Sequence, residues 1–225
     1  MNAGLPLVRS NTAERKYLKG LFVVLEGLDG SGKTTQAIRL YNRLKRRGIP
    51  VSLLREPGST AFGEKVRRIL KSGDIDDPVA ELLLFNASRS CLVRQKIRPA
   101  LISGEVVICD RFSSSTIAYQ GYGSGIDLQR INRVNDYATR DLIPDITILI
   151  DIDPIISLQR LQQTRTSKDH YEQNDFSFHR RVREGYLKLA EDNTQTWKIL
   201  DGTQNPRDLS ISVWKEIASL VGLMN

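Results

Sequence analysis

A short glycine-rich segment near the start of the chain matches the phosphate-binding pattern GxxxxGK[ST] at every fixed position. The segment runs Gly27-Leu28-Asp29-Gly30-Ser31-Gly32-Lys33-Thr34. It follows an apolar run that predicts a strand and precedes a run that predicts a helix, which is the context that the pattern requires. Glycines let backbone N–H groups turn toward phosphate oxygens, and the start of a helix favours negative charge. The segment therefore predicts a nucleoside triphosphate site, with Lys33 on the β- and γ-phosphates and the Thr34 hydroxyl on Mg²⁺.

Strands and helices alternate along the rest of the chain. Apolar runs predict five strands, Leu21 to Glu26, Val51 to Arg55, Val106 to Cys109, Ile146 to Ile152 and Lys198 to Leu200. Helical patterns with capping signals predict helices at Thr34 to Arg47, Thr60 to Leu70, Pro78 to Ser103 (bent or divided at Pro99), Leu128 to Arg140, Pro154 to Gln163, Phe176 to Asp192 and Asp208 to Val221. The strands are apolar throughout, which is typical of a parallel sheet covered by helices on both faces. We expect an α/β P-loop three-layer fold that binds ligands at the carboxyl ends of its strands.

Size and composition fit one globular domain. The 225 residues carry a net charge of +7, which favours anionic partners without choosing between nucleotides and nucleic acid. No apolar run approaches the roughly 18 residues of a membrane span, and no leader pattern is evident, so we expect a cytoplasmic protein. Cys91 and Cys109 lack metal-ligand spacing, so we expect two reduced thiols. We interpret residues 1–20 as a flexible extension and residues 21–225 as a single domain.

Polar residues follow the second and third predicted strands where each strand ends. Arg55-Glu56-Pro57-Gly58 closes the second strand and Asp110-Arg111-Phe112 closes the third. These ends share an edge of the sheet with the phosphate-binding loop, so Arg55 and Arg111 are candidates to bind a phosphate monoester bidentately. Asp110 is a candidate to hold Mg²⁺ through water. Either arginine alone also fits a structural salt bridge.

Three further segments are candidate parts of the site. Phe85 and Arg89, at i and i+4, share a helix face suited to stacking on a base and bonding its edge, although Phe85 also fits a core pattern. The hydroxyl-rich run from Ser113 to Gly121 fits either a sugar and base pocket or an ordinary helix start. A polar segment at about 160–175, with Arg160, Arg165, Lys168 and His170, fits either a lid over transferring phosphates or a solvated loop.

The ordered set of these motifs resembles the bacterial thymidylate kinase family from about Leu21 to Val221. The landmarks fall in the family's order: the loop, Arg55-Glu56-Pro57-Gly58, Phe85 with Arg89, Asp110-Arg111-Phe112, Ser115 with Tyr119-Gln120, and a lid. The resemblance implies a homodimeric enzyme with a five-stranded sheet. It also implies transfer of the γ-phosphoryl group of MgATP to dTMP, without nucleic-acid or membrane partners.

The resemblance further implies a role for each matched residue. Asp29 would reach the 3′-hydroxyl and phosphate region of dTMP, and Arg55 and Arg111 would hold the acceptor phosphate. Phe85 would stack on thymine and Arg89 would bond its edge. Ser115, Tyr119 and Gln120 would line the base and sugar, with Tyr119 crowding a 2′-hydroxyl. The implied catalytic residues are Lys33, Arg111, Asp29, Arg165 and Arg160.

The lid departs from the family pattern. Family members with glycine at the position of Gly30, instead of arginine, take a positive charge from the lid, for which Arg160 and Arg165 are the candidates. The lid often carries Asp-Arg-x-Glu, whereas this chain has Asp169-His170-Tyr171-Glu172. His170 does not carry an arginine's permanent charge, so the pattern leaves open which residue contacts phosphate.

Two alternative functions remain open from the residues alone. One is a kinase of the same fold that acts on another nucleotide or on a nucleoside. The other is a P-loop switch or a nucleic-acid-binding ATPase, for which the +7 charge is the only sign; the chain shows no charged tail.

Overall fold

The computed structural model describes residues 20–164 and 175–222. Strands β1 to β5 span Leu21–Glu26, Val51–Arg55, Val106–Asp110, Ile146–Asp151 and Trp197–Asp201. Helices α1 to α9 span Lys33–Arg46, Ala61–Ser72, Pro78–Leu92, Arg98–Ile102, Ser113–Thr116, Leu128–Thr139, Pro154–Thr164, Phe176–Asp192 and Pro206–Ala218. Two π-helical turns, π1 and π2, span Val93–Ile97 and Ile117–Gly123. Residues 1–19 of the predicted extension and residues 165–174 of the predicted lid lie outside the described ranges.

The five strands form one parallel sheet in the order β2-β3-β1-β4-β5. The register pairs Asp110 with Leu25 of β1 and with Arg55 of β2. The last residues of three neighbouring strands therefore lie side by side at one edge. The predicted five-stranded parallel sheet is confirmed, and its topology brings the loops after β1, β2 and β3 together.

Alternate residues of each central strand face two different cores. Val23 and Leu25 pack with α1 and α9, whereas Phe22 and Val24 pack with α3, π1 and α4 on the opposite face. Because both faces are covered, a central strand needs apolar side chains at every position, which explains the continuous apolar runs. In the described ranges no helix is long and apolar enough to cross a membrane.

The predicted long helix from Pro78 to Ser103 is divided into α3, π1 and α4. Asp77 caps its start by accepting a hydrogen bond from the Val79 N–H at 2.9 Å. Pro99 lies in the first turn of α4, directly after the π-helical turn π1. The prediction that Pro99 marks the passage from one helix to another is therefore confirmed.

The final helix begins two residues earlier than the sequence pattern predicted. Asn205 accepts hydrogen bonds from the N–H groups of Arg207 and Asp208, and Pro206 occupies the first turn. Proline is favoured at this position because the first N–H groups of a helix have no intrahelical partner. The pair Asn205-Pro206 therefore marks the start of this helix. The predicted helix from Asp208 to Val221 was wrong at its amino-terminal end.

Candidate active site

The phosphate-binding loop joins β1 to α1 and packs directly against α7. Gly30 has φ 78° and Gly32 has φ 101°, a region that favours glycine. A Cβ at position 30 would lie 2.8 Å from the Ser157 carbonyl oxygen on α7. The Ser157 hydroxyl also donates a hydrogen bond to the backbone oxygen of Asp29. The loop therefore has no room for a side chain at position 30, which explains why this chain carries glycine there.

Lys33 is turned into the loop and is only 5% exposed. Its ammonium group donates to the Leu28 carbonyl oxygen at 2.8 Å and lies 3.8 Å from the Asp29 carboxylate. Burial and the nearby charge of Arg111 lower the pKa of Lys33 to about 8. Bound phosphates would supply the negative charge that stabilises the protonated form of this group.

Thr34 and Asp110 present a hydroxyl and a carboxylate beside the loop. The Thr34 hydroxyl donates to Asp110 Oδ2 at 2.5 Å, so the predicted metal-binding pair is brought together across 76 residues of sequence. Residues 20–164 and 175–222 contain no cluster of three or more His, Cys, Asp or Glu side chains that could enclose a metal ion. The pair fits Mg²⁺, which is commonly held by one or two protein oxygens together with waters and substrate phosphates.

Arg111 is held in a fixed position by hydrogen bonds to three elements. Nη2 donates to Asp29 Oδ1 at 2.6 Å and to the Tyr119 hydroxyl at 3.2 Å. Nη1 donates to Ser115 Oγ at 3.1 Å and to the Tyr186 hydroxyl at 3.0 Å. Arg111 has φ 73°, so its backbone adopts an unfavourable conformation to aim the side chain. Such a cation at a strand end is already aimed before an anion binds.

The carboxylate of Asp29 stays ionised because of this arrangement. Burial alone would raise its pKa, but the charges of Arg111 and Lys33 and the hydrogen bonds from Arg111 and Tyr119 hold it below its usual range. Asp29 is thus a fixed negative charge between two cations. A bound phosphate would compete with it for the Arg111 guanidinium.

Glu26 fixes the turn that carries Arg111, a role that we did not predict from sequence. This fully buried carboxylate accepts hydrogen bonds from the N–H groups of Phe112 and Ser115 at 2.9 and 3.2 Å. It also accepts from the hydroxyls of Ser115 and Tyr186 at 2.6 and 2.9 Å. Burial raises the pKa of Glu26, and the nearby Arg111, 4.0 Å away, opposes that rise. An acidic residue ending an apolar strand was the available signal.

A cavity opens beside Arg111 and is the candidate acceptor site. Its lining includes six residues that the sequence analysis named: Asp29, Phe85, Arg111, Ser115, Tyr119 and Gln120. It also includes Thr116 of the hydroxyl-rich run, Glu56 and Pro57 of the motif after β2, and three residues of α2 for which we predicted no role: Arg67, Leu70 and Lys71. Arg67 and Lys71 lie one turn apart on α2. In the sequence they belong to a charged helical pattern that is typical of a solvent-exposed helix face. The cavity therefore combines a cation, an aromatic ring and an amide, which suit a nucleotide's phosphate and base.

The stretch from Ser113 to Gly121 is both a helix start and a pocket wall. After α5, the turn π2 places Tyr119 and Gln120 against the cavity, and both are more than nine-tenths buried. Wide π-helical turns let neighbouring residues share one side, and they are frequent at functional sites. The two interpretations that the sequence left open are therefore compatible.

Arg89 lies outside the set of residues that line the acceptor cavity. Its Nε donates to Glu56 at 2.8 Å, Nη1 donates to Asn86 and Asn135, and Nη2 donates to the Phe112 carbonyl and Thr116. All five N–H groups thus have protein acceptors, and Arg89 is 1% exposed. Burial raises the pKa of Glu56 to about 7 despite this partner. The predicted hydrogen bond from Arg89 to a base edge stays a prediction, since one of these bonds would have to be released.

Arg55 is also directed away from the acceptor cavity. Its Nη2 contacts both carboxylate oxygens of Glu64, at 3.1 and 3.0 Å, and the side chain is 52% exposed. Arg55 lines a separate depression together with Thr34 and Asp110. The sequence analysis placed it correctly at the strand edge, but the structure pairs it with Glu64 of α2 instead of joining it to Arg111. Its predicted phosphate contact stays untested.

A second cavity forms around the phosphate-binding loop and is the candidate donor site. It is lined by residues 29–36, by Arg160, Leu161 and Gln163 of α7, by residues 202–205 before α9, and by Pro206 and Leu209 of α9. Arg160 Nη1 donates to the Gly202 carbonyl at 2.9 Å, and Gln36 Nε2 donates to the Pro206 carbonyl at 3.0 Å. Arg160 therefore lines the donor cavity from α7, and its predicted role as a lid cation stays a prediction. Arg165, Lys168 and His170 lie outside the described residues.

Comparisons with known proteins agree on one family. The model of the family described as thymidylate kinase matches residues 25–213. A thymidylate kinase of Deinococcus radiodurans is 43% identical over 201 residues, covering 89% of this chain and 97% of that protein. One of Caldanaerobacter subterraneus is 46% identical over 188 residues, covering 83% and 89%. The crystal structure of thymidylate kinase from Ehrlichia chaffeensis aligns with a TM-score of 0.75 at 35% identity, covering 88% of this chain and 98% of that one.

Proposed function

The chain belongs to the thymidylate kinase family, and we propose that it transfers the γ-phosphoryl group of ATP to dTMP, giving dTDP and ADP. The enzyme is a phosphotransferase of nucleotide biosynthesis. One observation supports the assignment of its two cavities: Asp29 lines both of them. An acceptor phosphate at Arg111 would therefore lie beside the donor phosphates at the loop.

Arg111 is the residue that we assign to the acceptor phosphate. Its guanidinium is aimed by Asp29, Ser115, Tyr119 and Tyr186 before the substrate binds, so the acceptor phosphate has only to take the place of Asp29 on the guanidinium. An oxygen of the dTMP phosphate attacks the γ-phosphorus in line, and Lys33 and Arg111 neutralise charge from either side. Before the substrates bind, Asp29 offsets the repulsion between these two cations.

The metal ion is assigned to Thr34 and Asp110. Their hydroxyl and carboxylate oxygens would hold Mg²⁺ beside the donor phosphates. When bound, the ion would neutralise part of the charge on the β- and γ-phosphates.

The base and sugar are assigned to the part of the acceptor cavity that Phe85, Ser115, Tyr119 and Gln120 line. Phe85 stacks on the base, Ser115 and Gln120 contact the base and sugar, and Tyr119 crowds the 2′ position and so favours deoxyribose. The Tyr119 hydroxyl is bonded to Arg111 and Asp29, which ties recognition of the sugar to the phosphate site. Arg160 and Arg165 are proposed to add positive charge from the lid. The lid is proposed at about residues 160–175, within a single domain at residues 21–225.

Two further features follow the family resemblance. We propose a homodimer packed through helices, to be tested by sedimentation equilibrium, and a cytoplasmic location, to be tested by cell fractionation.

An ADP-release assay tests the proposed activity. ADP formation from MgATP is coupled to NADH oxidation with each of dTMP, dUMP, dCMP, dGMP, dAMP and UMP, and without acceptor. We expect fast release with dTMP, slower release with dUMP and little with the others. Preference for another monophosphate would discard the base assignment and keep the phosphate chemistry. Equal release without an acceptor would show an ATPase and overturn the proposal.

A further inference from the structure

We propose that Glu81 determines which pyrimidine the acceptor cavity takes, by fixing the orientation of the Gln120 amide. The inference rests on the proposed function, because it concerns the base of the acceptor nucleotide. The acceptor cavity would then select a base that carries a hydrogen on N3, such as thymine. The residue responsible for this selection would be Glu81, a carboxylate outside the cavity lining.

Glu81 and Gln120 form a buried contact behind the cavity wall. Gln120 lies in π2, is 1% exposed and lines the acceptor cavity. Its Nε2 donates to Glu81 Oε2 at 3.4 Å. Glu81 lies in the first turn of α3 and is 6% exposed. The contact is thus shielded from water, where a polar mismatch is most costly.

The chemistry of the two groups decides which end of the amide faces Glu81. An ionised carboxylate accepts hydrogen bonds and cannot donate one, whereas an amide has an NH₂ end and an oxygen end of nearly the same shape. In the structure Glu81 accepts from the NH₂ end of Gln120, which is the end that an ionised carboxylate pairs with. The amide oxygen is the end left for a ligand, and an oxygen without hydrogen can only accept.

A rigid frame keeps this contact in place. Arg89 extends from α3 and donates to the Phe112 carbonyl at 3.2 Å and to Thr116 Oγ1 at 2.8 Å. Thr116 is the residue directly before π2. The buried guanidinium thus holds the helix of Glu81 and the turn of Gln120 at a constant separation, so the amide cannot be reoriented by a shift of either element.

The fixed amide oxygen favours one pattern on the base edge. Thymine and uracil present an N3–H donor, which suits the oxygen. Cytosine presents a lone pair at N3, which would face that oxygen without a hydrogen between them. Sites that leave a buried polar group unpaired reject such analogues strongly. Phe85 does not contribute to this choice, because stacking tolerates any base.

Glu81→Gln tests the inference, since it preserves shape and removes the acceptor-only character. An amide at position 81 can pair with either end of Gln120, so the Gln120 amide becomes free to turn. We expect the ratio of kcat/KM for dTMP to that for dCMP to fall about tenfold or more, through a higher KM for dTMP and a lower KM for dCMP. Glu191→Gln, which neutralises a 67% exposed carboxylate on α8, is the matched control and should keep the wild-type ratio.

Glu81→Met gives a second test that does not depend on amide pairing. It removes the acceptor altogether, and we expect the same loss of selectivity. An unchanged ratio in either folded variant, or equal losses with dTMP and dCMP, would overturn the inference, because a merely structural role moves both substrates together. Wild-type protein that fails to use dTMP would refute the proposed function instead, so the two failures are distinguishable.

Discussion

The phosphate-binding loop and the acceptor cavity meet at Asp29, but they are built in opposite ways. The loop is local: the hydrogen bond from Lys33 to the Leu28 carbonyl spans five residues. The acceptor side is assembled from distant parts of the chain. Arg111 reaches Asp29 across 82 residues, and Tyr186 reaches Glu26 across 160.

The polar groups of the two regions also differ in how far protein partners occupy them. Arg111 donates four hydrogen bonds to fixed side chains, and Arg89 donates five. The loop instead relies on backbone geometry at Gly30 and Gly32. Substitutions on the acceptor side should therefore change catalysis and selectivity by altering how side chains are oriented. Substitutions in the loop should instead change ATP binding, by altering the backbone conformation or the charge of the loop.

The largest expected effect is that of Arg111→Ala on the acceptor side. Loss of a preset cation should lower kcat/KM for dTMP about 10³-fold or more, with a much smaller change in KM for ATP. The coupled assay measures the rates, and thermal unfolding checks the fold. Arg180→Ala, at a 64% exposed ion pair, is the control and should stay within about twofold. Near-normal turnover by folded Arg111→Ala protein would remove Arg111 from the mechanism.

Phe85→Ala is expected to weaken dTMP binding without affecting ATP. Base stacking on an aromatic ring contributes about 1–3 kcal/mol, so KM for dTMP should rise roughly 10- to 100-fold. Titration of each nucleotide in turn provides the measurement. Leu83→Ala, on the same helix and with a side chain 54% exposed, is the control. Parallel losses for both nucleotides would indicate a damaged helix and contradict the stacking role.

Gly30→Ala separates backbone strain from close packing in the loop. Gly125 has φ 81°, nearly the same as the 78° of Gly30, but no atom lies within 4 Å of a Cβ built there. Both alanines carry about 1–2 kcal/mol of left-handed strain. Only position 30 also meets the Ser157 carbonyl, so we expect KM for ATP to rise about tenfold in Gly30→Ala and to stay unchanged in Gly125→Ala. Identical ATP binding in the two variants would show that α7 does not constrain the loop.

The smallest expected effect is a pH dependence of ATP binding. The pKa of Lys33 is about 8 in the free protein, and bound phosphates favour its charged form, so binding takes up a proton above that pH. The affinity for ATP should be constant below pH 8 and fall by at most about tenfold per pH unit above it. Calorimetry at pH 7 to 8.5, where the expected fall is about fourfold, measures both affinity and proton uptake in two buffers of different ionisation enthalpy.

Lys33→Arg is the control for the pH dependence, because a guanidinium stays charged over this range. Its affinity for ATP should not change with pH, whatever its absolute value. A fall above pH 8 of equal size in Lys33→Arg would assign the titration to another group.

Sequence patterns were sufficient for the sheet and for the glycine-rich loop because both depend on local rules. Continuous apolar runs predicted all five strands, and Gly27 to Thr34 predicted the loop with its helix. The same patterns placed Arg111, Phe85 and Tyr119 near one another only through the order of strand ends and a family resemblance. They gave no sign that Arg89 has all five N–H groups bonded to protein atoms. They left open a structural salt bridge for Arg55, but they did not identify Glu64 as its partner.

The sequence by itself determined the parallel sheet, the glycine loop and its cation, since periodicity and turn chemistry act over a few residues. The tertiary structure alone decided the partners of the polar groups. In the sequence nothing distinguishes the side-chain partners of Glu26, Glu56 and Glu81. In the structure each of them is buried and hydrogen-bonded to a residue at least 33 positions away. Side-chain pairing across a fold depends on distances between elements, and no local pattern encodes those distances.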